Sequence, residues 1–443
     1  MIITVIKAEI EAEAGWAVGT SDVDAVGLDR ELLTEPDGRP WVPPSSLAGS
    51  LRAHLADHDA DERLMGSRPP RDSEQRGQDP APALVPSDLW LLGTTARRAD
   101  TDQQSRNDAA LGEANGSDND DGEASAPGTE VVASTAVDPV RGAALPKSLR
   151  HSRIVDEAAV IELYALLKGS LTTADQQLLA SWQPQVGRDR TRGGGVAYLR
   201  SLGYRIYDLS QPADLRAWLD AAGPDRFSAL TPITVDAAVP AEPLPVTEFV
   251  IGAALHVGTG SRQDKKAMFR IRGKHPLVPG STWKGVFRAR ASYIVRSCWG
   301  DEAACLPQSD CPGCIICSLF GSAASRGRIA FGDSPVTGAR QEERNHVAID
   351  RISGGGRDKL LFTDNVVTAG RVKLTITSLG PVEQWERDLL LHIVRDIHDG
   401  LIGVGAGTHR GQGTLRLADR THPALTGVRP MPAVLPVAGG DRD

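Results

Sequence analysis

The sequence predicts an α+β protein built from two tandem copies of a ferredoxin-like unit, the layout that RNA-recognition modules also use. The chain has 443 residues, a length that suits two domains of about 200 residues. Motifs recur in the same order in both halves, and each half reads as strand, helix, strand pair, helix and strand. We place the first domain at residues 1–235 and the second at residues 245–443.

Four sequence features are shared between the halves. They are an opening strand with a glycine turn (16–22 and 255–261), a proline-led helix start (VPPSSLAGSLRAHL, 42–55, and VPGSTWKGVFRARA, 278–291), a hairpin with an aspartate (135–155 and 347–367), and the turn V-G-x-x-x-x-R-G-x-G (186–195 and 404–413). One match could arise by chance, but four in the same order indicate a duplication.

Local patterns predict the individual elements. Residues 371–379 alternate apolar and polar, as a half-buried strand does. Pro381 opens a predicted helix with an apolar stripe, which ends at Gly400. In the first half, Thr172 caps a short helix, and Asp175 stands at the capping-box position.

Charge is unevenly distributed along the chain. The net charge is -8, but residues 98–130 hold nine acids and two arginines, with almost no large apolar residue, so we expect that insert to be disordered. In contrast, residues 262–290 carry nine Lys or Arg and one Asp. Such a cluster is typical of a surface that binds a polyanion, although a solvated basic face is the plainer interpretation.

The proline-led helix starts are candidate phosphate sites. Ser281 or Thr282 can cap the first turn, and free N–H groups with the helix dipole attract anions. The motif lacks the G-K-[ST] ending of a nucleotide P-loop, which argues against an NTPase. The glycine-rich turns add an arginine each and permit close backbone approach, although a plain tight turn explains them too. The candidate RNA-binding residues from these motifs are Ser45, Ser46, Arg52, Arg192, Ser281, Thr282, Lys284, Arg288 and Arg410.

All five cysteines lie in residues 298–317. Clustered cysteines in a protein without a secretion signal are typical of a metal site. Four thiolates suit a closed, structural zinc site, and the best set is Cys305, Cys311, Cys314 and Cys317. Cys298 is spare or replaces one of them, and an iron–sulfur cluster or free thiols are the alternatives.

The N-terminus has no basic region, apolar core or small-residue cleavage site of a signal peptide. No apolar run approaches the ~18 residues of a membrane helix, so we expect a cytoplasmic protein without membrane contact.

The motifs together resemble the RAMP superfamily, the CRISPR-associated RNA-binding subunits with RRM-like folds. The resemblance rests on the V-P-G-S helix start, on L-F-G-S followed by RIAFGDS (328–334), on the A-I-D-R hairpin and on the R-G-x-G turn. It covers nearly the whole chain and is closest to backbone subunits of type III effector complexes, with a tandem protein of the III-D kind as the best match.

The resemblance implies a set of partners and sites. The partners are a guide RNA (crRNA), a target RNA and other type III subunits, including the large polymerase/cyclase-like subunit. Thumb hairpins at residues 138–150 and 350–362, the second with Arg351, would displace base pairs of the guide–target duplex. The catalytic aspartate of cleaving members matches Asp29 in the first half and, only approximately, Asp264 in the second.

The chemistry of RNA cleavage adds a metal requirement. An aspartate with a pKa near ~4 is a poor base at neutral pH, so we expect a metal-dependent endoribonuclease that uses a divalent ion such as Mg²⁺. Two alternatives stay open: a non-catalytic scaffold that binds guide RNA, and a nuclease that processes the guide precursor with His409 near the glycine-rich turn.

Overall fold

The computed structural model describes residues 1–20, 28–67, 88–98, 128–136, 138, 145–235, 242–263, 266–272, 274–305, 311, 313–322 and 325–435. Most of the acidic insert and the position of Asp264 therefore lie outside the described residues. None of the helices in these ranges is long and apolar enough to cross a membrane.

The first repeat contains, in chain order, β1 (Ile2–Ala12), α1 (Pro44–Ala56), α2 (Asp61–Met65), β2 (Leu89–Arg98), β3 (Thr129–Ser134), β4 (Arg150–Val155), β5 (Ala159–Lys168), α3 (Thr173–Ala180), β6 (Ala197–Asp208), α4 (Pro212–Asp220) and β7 (Thr231–Ile233). The second repeat contains β8 (Thr247–Ile251), β9 (Gly258–Gln263), β10 (Lys266–Phe269), β11 (Ile271–Arg272), β12 (His275–Val278), α5 (Gly280–Trp299), α6 (Ile315–Phe320), β13 (Ile329–Phe331), β14 (Ser334–Ile349), β15 (Gly356–Leu374), β16 (Ile376–Ser378), α7 (Gln384–Asp399), β17 (Leu415–Leu417) and α8 (Pro423–Thr426). The chain thus mixes helices and sheets, as expected for an α+β protein.

The first repeat is organised around β1, which pairs antiparallel with β5 on one side and β6 on the other. The strand order is β2-β5-β1-β6-β7. Alternate residues of β1 point into the core, and α1 covers them with the stripe Leu47, Leu51 and Leu55, all at most 2% exposed. Spacing of four residues places this stripe on one helix face, which explains why α1 packs on the sheet.

The second repeat has the corresponding arrangement, in which β8 pairs with β15 and β17, and β15 pairs with β14. Helix α5 buries Trp283, Phe287, Ala291 and Val295 completely. Helix α7 likewise packs its apolar stripe inward and ends at Gly400 in the left-handed conformation, as predicted.

Several local predictions can be compared with the observed elements. The capping box of Thr172 and Asp175 is confirmed. Helix α7 begins at Gln384 rather than at Pro381, because Glu383 and Glu386 form a capping box there. The strand predicted at residues 371–379 is divided into β15 and β16, since the carbonyl between them accepts a hydrogen bond from Gly332.

The duplication is visible in the backbone hydrogen bonds of the two glycine-rich turns. Val186 N–H donates to the Gly195 carbonyl at 3.1 Å, and Val404 N–H donates to the Gly413 carbonyl at 3.0 Å. In the alignment of the two halves, Val186 is equivalent to Val404 and Gly195 to Gly413. The two turns are therefore one structural motif used twice.

A long hairpin formed by β14 and β15 extends from the second repeat. Asp350 closes its tip, where the carboxylate accepts the N–H groups of Ile352 and Ser353 at 2.9 Å. Ile349 and Ile352 are 68% and 96% exposed. In the first repeat β3 and β4 form the corresponding pair, and much of the predicted thumb at 138–150 lies outside the described residues.

Candidate nucleic-acid interface and metal centre

Asp29 lies beside β4, close to the end of the β3–β4 pair where Ser134 and Arg150 are paired. One oxygen of its exposed carboxylate accepts the N–H of His151 at 2.7 Å, and its own N–H donates to the His151 carbonyl at 3.0 Å. The next residue, Arg30, continues this contact as a parallel bridge to Ser152. The loop that carries Asp29 is thus fixed to β4, while its carboxylate faces solvent.

An arginine of the first glycine-rich turn contacts β4, the strand that holds Asp29. Arg188 of the glycine-rich turn donates to the Arg153 carbonyl at 3.2 Å, and its buried Nε has no hydrogen-bond partner in the described structure. Burial lowers the pKa of Arg188, the nearby Asp189 opposes this effect, and the Arg30 and Arg192 guanidinium groups add to it. Arg188 therefore lies among charges of both signs, since Asp189, the partner of Arg192, is also near it.

The second repeat lacks an aspartate at the matching place. Val155 and Val367 are equivalent in the two repeats, so residue 151 corresponds to Thr363. Thr363 pairs with Lys266, as His151 pairs with Asp29. Lys266, rather than Asp264, therefore occupies the position of Asp29. Asp264 itself lies outside the described residues.

The helix start of α5 differs from the prediction that Ser281 or Thr282 caps it. The N-cap residue is Pro279, and no side chain of the cap residue accepts a hydrogen bond. Instead, the Asp333 carboxylate accepts the Gly280 N–H at 2.7 Å. The first N–H of this helix is already bound by an anionic group, so it is not available to a phosphate.

The same helix start contacts the first repeat at a surface that we call the joint. A Cβ on Gly280 would lie 2.1 Å from the Phe331 carbonyl oxygen and 2.8 Å from the Arg192 carbonyl carbon. Lys284 donates to the hydroxyl of Thr191 at 2.6 Å. Burial, with repulsion from Arg192 and Arg288, lowers the pKa of Lys284 to about 8. Lys284 therefore joins the two repeats and does not face open solvent.

Two other candidate RNA-binding arginines are used within the fold. Arg52 donates to the carbonyls of Met65 and Gly66 and thereby holds α1 against the end of α2. Arg288 donates to the Gly321 carbonyl and, at 3.2 Å, to the Cys317 sulfur. The interpretation of both as open RNA-binding cations is corrected accordingly.

The remaining candidates are more accessible. Ser45 and Ser281 are exposed, and Ser46 and Thr282 are half-buried. Arg351 is exposed at the hairpin tip. The helix start of the first repeat carries no side-chain cap either, since its N-cap is Pro43.

The arginines that the two glycine-rich motifs share, Arg192 and Arg410, each have an acidic partner. Arg192 pairs with Asp189, and Arg410 pairs with the buried Asp364 at 2.9 Å. The glycines serve the fold, since a Cβ on Gly187 would lie 2.0 Å from the Ala17 carbonyl oxygen. This is the tight-turn interpretation, in which the close approach is to the protein's own backbone.

The face of the first sheet that carries Glu9 and Tyr164 is partly covered and mixed in charge. Glu9 of β1 lies directly opposite Glu162 of β5. Next to them, Tyr164 packs edge-on against Phe227 at 4.9 Å, so the segment after α4 covers part of the face. Lys7 pairs with Glu162 at 3.0 Å and Arg97 with Glu9 at 3.8 Å, so this face carries charges of both signs.

The four predicted metal-binding cysteines converge. The sulfur atoms of Cys305, Cys311, Cys314 and Cys317 all lie within 4.8 Å of one another. Hydrogen bonds from the backbone N–H groups of Cys314 and Gly313 lower the pKa of Cys311 to about 7, whereas burial raises the pKa of Cys317. Cys298 is exposed on α5 and does not belong to this group.

The donor set fits zinc. A tetrahedral ion with Zn–S bonds of about 2.3 Å places its sulfurs about 3.8 Å apart. The Cys305 and Cys317 sulfurs are 3.4 Å apart, which requires only a small adjustment. The N–H group of Cys314 donates to the Cys311 sulfur at 3.2 Å, which stabilises a thiolate. Bound zinc would link α6 to the end of α5 and leave no open coordination position.

Comparison with known families identifies the repeats. The model of the RAMP superfamily matches residues 9–198 and again residues 227–416. The chain belongs to the RAMP superfamily. Among curated proteins, no significant match to this RAMP protein was found. The two matches support a CRISPR-associated, RNA-binding protein with two tandem repeats.

Sequence reasoning missed some residues that organise the sites of this RAMP protein. Arg30 follows Asp29 directly, and Arg188 contacts the same strand, β4, that holds Asp29. Arg188 could have been noted because it stands in the same turn as Arg192. Asp333 follows the RIAF strand, but nothing in the sequence indicated that its carboxylate would reach the start of α5.

Proposed function

We propose that this protein is a tandem backbone subunit of a type III CRISPR ribonucleoprotein, which binds guide RNA and cleaves complementary target RNA at Asp29. The large polymerase/cyclase-like subunit and other type III subunits are its partners in this proposal. The observation that carries it is the exposed Asp29 carboxylate, which is fixed to strand β4 by hydrogen bonds with His151 and is followed directly by Arg30.

The arrangement of strands supports the architectural part of the proposal. In both repeats the first strand of the unit lies between the third and the fourth, and the second lies outside the third, which is the order of a ferredoxin-like unit. The β14–β15 hairpin, with Ile349, Arg351 and Ile352 exposed at its tip, has the length and surface of a thumb that enters a duplex.

The chemistry of cleavage follows from the surroundings of Asp29. The His151 N–H donates to one oxygen of the Asp29 carboxylate. This hydrogen bond fixes the orientation of the carboxylate, including its second oxygen. No group of three metal-binding side chains includes Asp29 among the residues that the structure describes. A Mg²⁺ ion bound here would share Asp29 with RNA phosphates, as magnesium commonly does, and would offset charge at the scissile phosphate. In this proposal the adjacent Arg30 helps to position the RNA strand.

The test is cleavage by the assembled complex. We expect Asp29→Ala, purified with the guide RNA and partner subunits, to lose target cleavage by at least about 100-fold while target affinity stays within about twofold. Asp37→Ala is the matched control, because Asp37 is an exposed acid of the same connection that pairs with Arg39. Undiminished cleavage by the Asp29 variant would contradict the catalytic assignment and favour the scaffold.

The alternative, a nuclease that processes the guide precursor, is tested with the isolated protein. His409 is exposed beside the second glycine-rich turn, where it could reach an RNA strand. If the protein alone cut precursor RNA, and His409→Ala abolished that cut, the processing function would be favoured. Asp264, which lies outside the described residues, stays a prediction, and Asp264→Ala in the assembled complex would test it.

A further inference from the structure

The cysteine cluster is connected to the joint between the repeats by a continuous set of contacts. Its starting point is Arg288, whose guanidinium binds the Cys317 sulfur at 3.2 Å and, through its other nitrogen, the Gly321 carbonyl. Cys317 is 1% exposed, so this contact is shielded from water. Arg288 thus fixes both a metal-binding residue and the end of helix α6.

The segment after α6 is folded tightly against that helix end. Ser322 N–H donates to the Ser325 carbonyl at 2.8 Å, and Arg328 N–H donates to the Leu319 carbonyl at 2.9 Å. Arg326, in the middle of this segment, reaches the other repeat and donates to the Gln185 side chain at 2.6 Å. A shift of α6 would therefore move a residue that contacts the first repeat.

Two more contacts complete the connection. Phe331 N–H donates to the Thr191 carbonyl of the first repeat at 3.3 Å. Lys284, one helical turn before Arg288 on α5, donates to the Thr191 hydroxyl at 2.6 Å. Helix α5 and the segment after α6 both form a hydrogen bond with Thr191 of the glycine-rich turn. The position of Thr191 therefore depends on both elements.

We propose that the cysteine cluster, with its metal bound, braces the joint between the two repeats, and that Arg288 is the positioning residue that transmits this effect. Metal binding fixes the Cys317 sulfur, which orients Arg288, which in turn fixes Gly321 and the segment that carries Arg326. The cluster then stabilises the contact between the two repeats in addition to its own insertion. This role is independent of whether the protein cleaves RNA.

The test uses hydrogen exchange of the full-length protein, read at single amides by fragmentation mass spectrometry. Phe331 N–H bonds across the joint, and the neighbouring Gly332 N–H bonds within the second repeat to Thr375 at 2.9 Å, so Gly332 is the internal reference. We expect removal of zinc by a chelator to increase exchange at Phe331 about fivefold more than at Gly332, as loss of a net hydrogen bond predicts.

Variants then separate Arg288 from the metal. Arg288→Met should keep one zinc per chain, since the four thiolates remain, yet show increased Phe331 exchange in the zinc-loaded form. Arg288→Lys keeps the charge but lacks the forked donor, so we expect an intermediate increase. Arg296→Met is the control, because Arg296 lies on the same helix and pairs with the exposed Asp301.

The outcomes are distinct. If chelation loosened only residues 298–317 and left Phe331 protected, the cluster would stabilise its own insertion alone and the proposal would be wrong. Protection of Phe331 in zinc-loaded Arg288→Met would exclude Arg288 as the connection. If that variant failed to fold, the chelation experiment on the unaltered protein and the Arg288→Lys variant would still decide.

Discussion

Lys284 provides a sharp test of the joint, because its ammonium group is held in a poorly hydrated place. Burial, and then the proximity of Arg192 and Arg288, lowers its pKa from 10.5 to about 8. The unfolded chain therefore holds its proton more tightly than the folded chain. Between pH 8 and 10.5 the unfolded state binds more protons, so the free energy of unfolding rises with pH in this window.

The size of the effect follows from the same shift. At pH 7 the charged Lys284 costs the folded protein about 3 kcal/mol, and raising the pH to 9.5 recovers about 2 kcal/mol. Lys284→Met removes that cost, although it also loses the hydrogen bond to Thr191, which contributes about 1 kcal/mol. We expect the variant to be more stable by about 2 kcal/mol at pH 7 and nearly equal to the unaltered protein at pH 9.5.

Urea denaturation measures both proteins across this pH range in zinc-containing buffer. Tryptophan fluorescence reports unfolding, since several of the eight tryptophans, including Trp283 next to Lys284, are completely or largely buried. Other groups, including thiols and tyrosines, titrate in the same window, so the difference between the two proteins is the relevant quantity. Parallel pH dependences for the two proteins would refute the argument that Lys284 is desolvated at the joint.

Other substitutions test further features. Gly280→Ala should destabilise the protein by about 3 kcal/mol, because its Cβ would lie 2.1 Å from the Phe331 oxygen; thermal denaturation measures this, and an unchanged melting temperature would exclude the close contact. Cys314→Ser should abolish stoichiometric zinc binding, whereas Cys298→Ser should preserve it; equal zinc contents by metal analysis would contradict the assigned set. Ile352→Ser should leave stability within about 0.5 kcal/mol, since the side chain is 96% exposed, yet weaken guide-dependent target binding or cleavage; unchanged RNA activity would remove the tip from the proposed interface.

The sequence predicted those structural features that depend on residues close together in the chain. The capping box at Thr172 and the left-handed Gly400 are local devices, visible in a few letters, and both are present. The convergence of four cysteines could also be predicted, since their spacing confines them to one short segment. The repeated order of motifs indicated the duplication that the two family matches show.

The sequence could not predict contacts between distant segments. Ser281 and Thr282 have the chemistry of cap residues, but Asp333, about 50 residues later, reaches the helix start first. The sequence shows the charge of Arg288, which suggested a phosphate ligand. It does not show that Gly321 and Cys317 accept the hydrogen bonds of this side chain. Tertiary packing decides which polar group a side chain meets, and helical periodicity alone does not contain that information.

The joint also has a consequence for the order of biosynthesis. Thr191 leaves the ribosome almost 90 residues before Gly280 does, which at about 5–20 residues per second is an interval of several seconds or more. The nascent N-terminal half can fold its glycine-rich turn in that time. The later half then meets a finished docking surface as it emerges, and its first helix acquires a neighbour co-translationally.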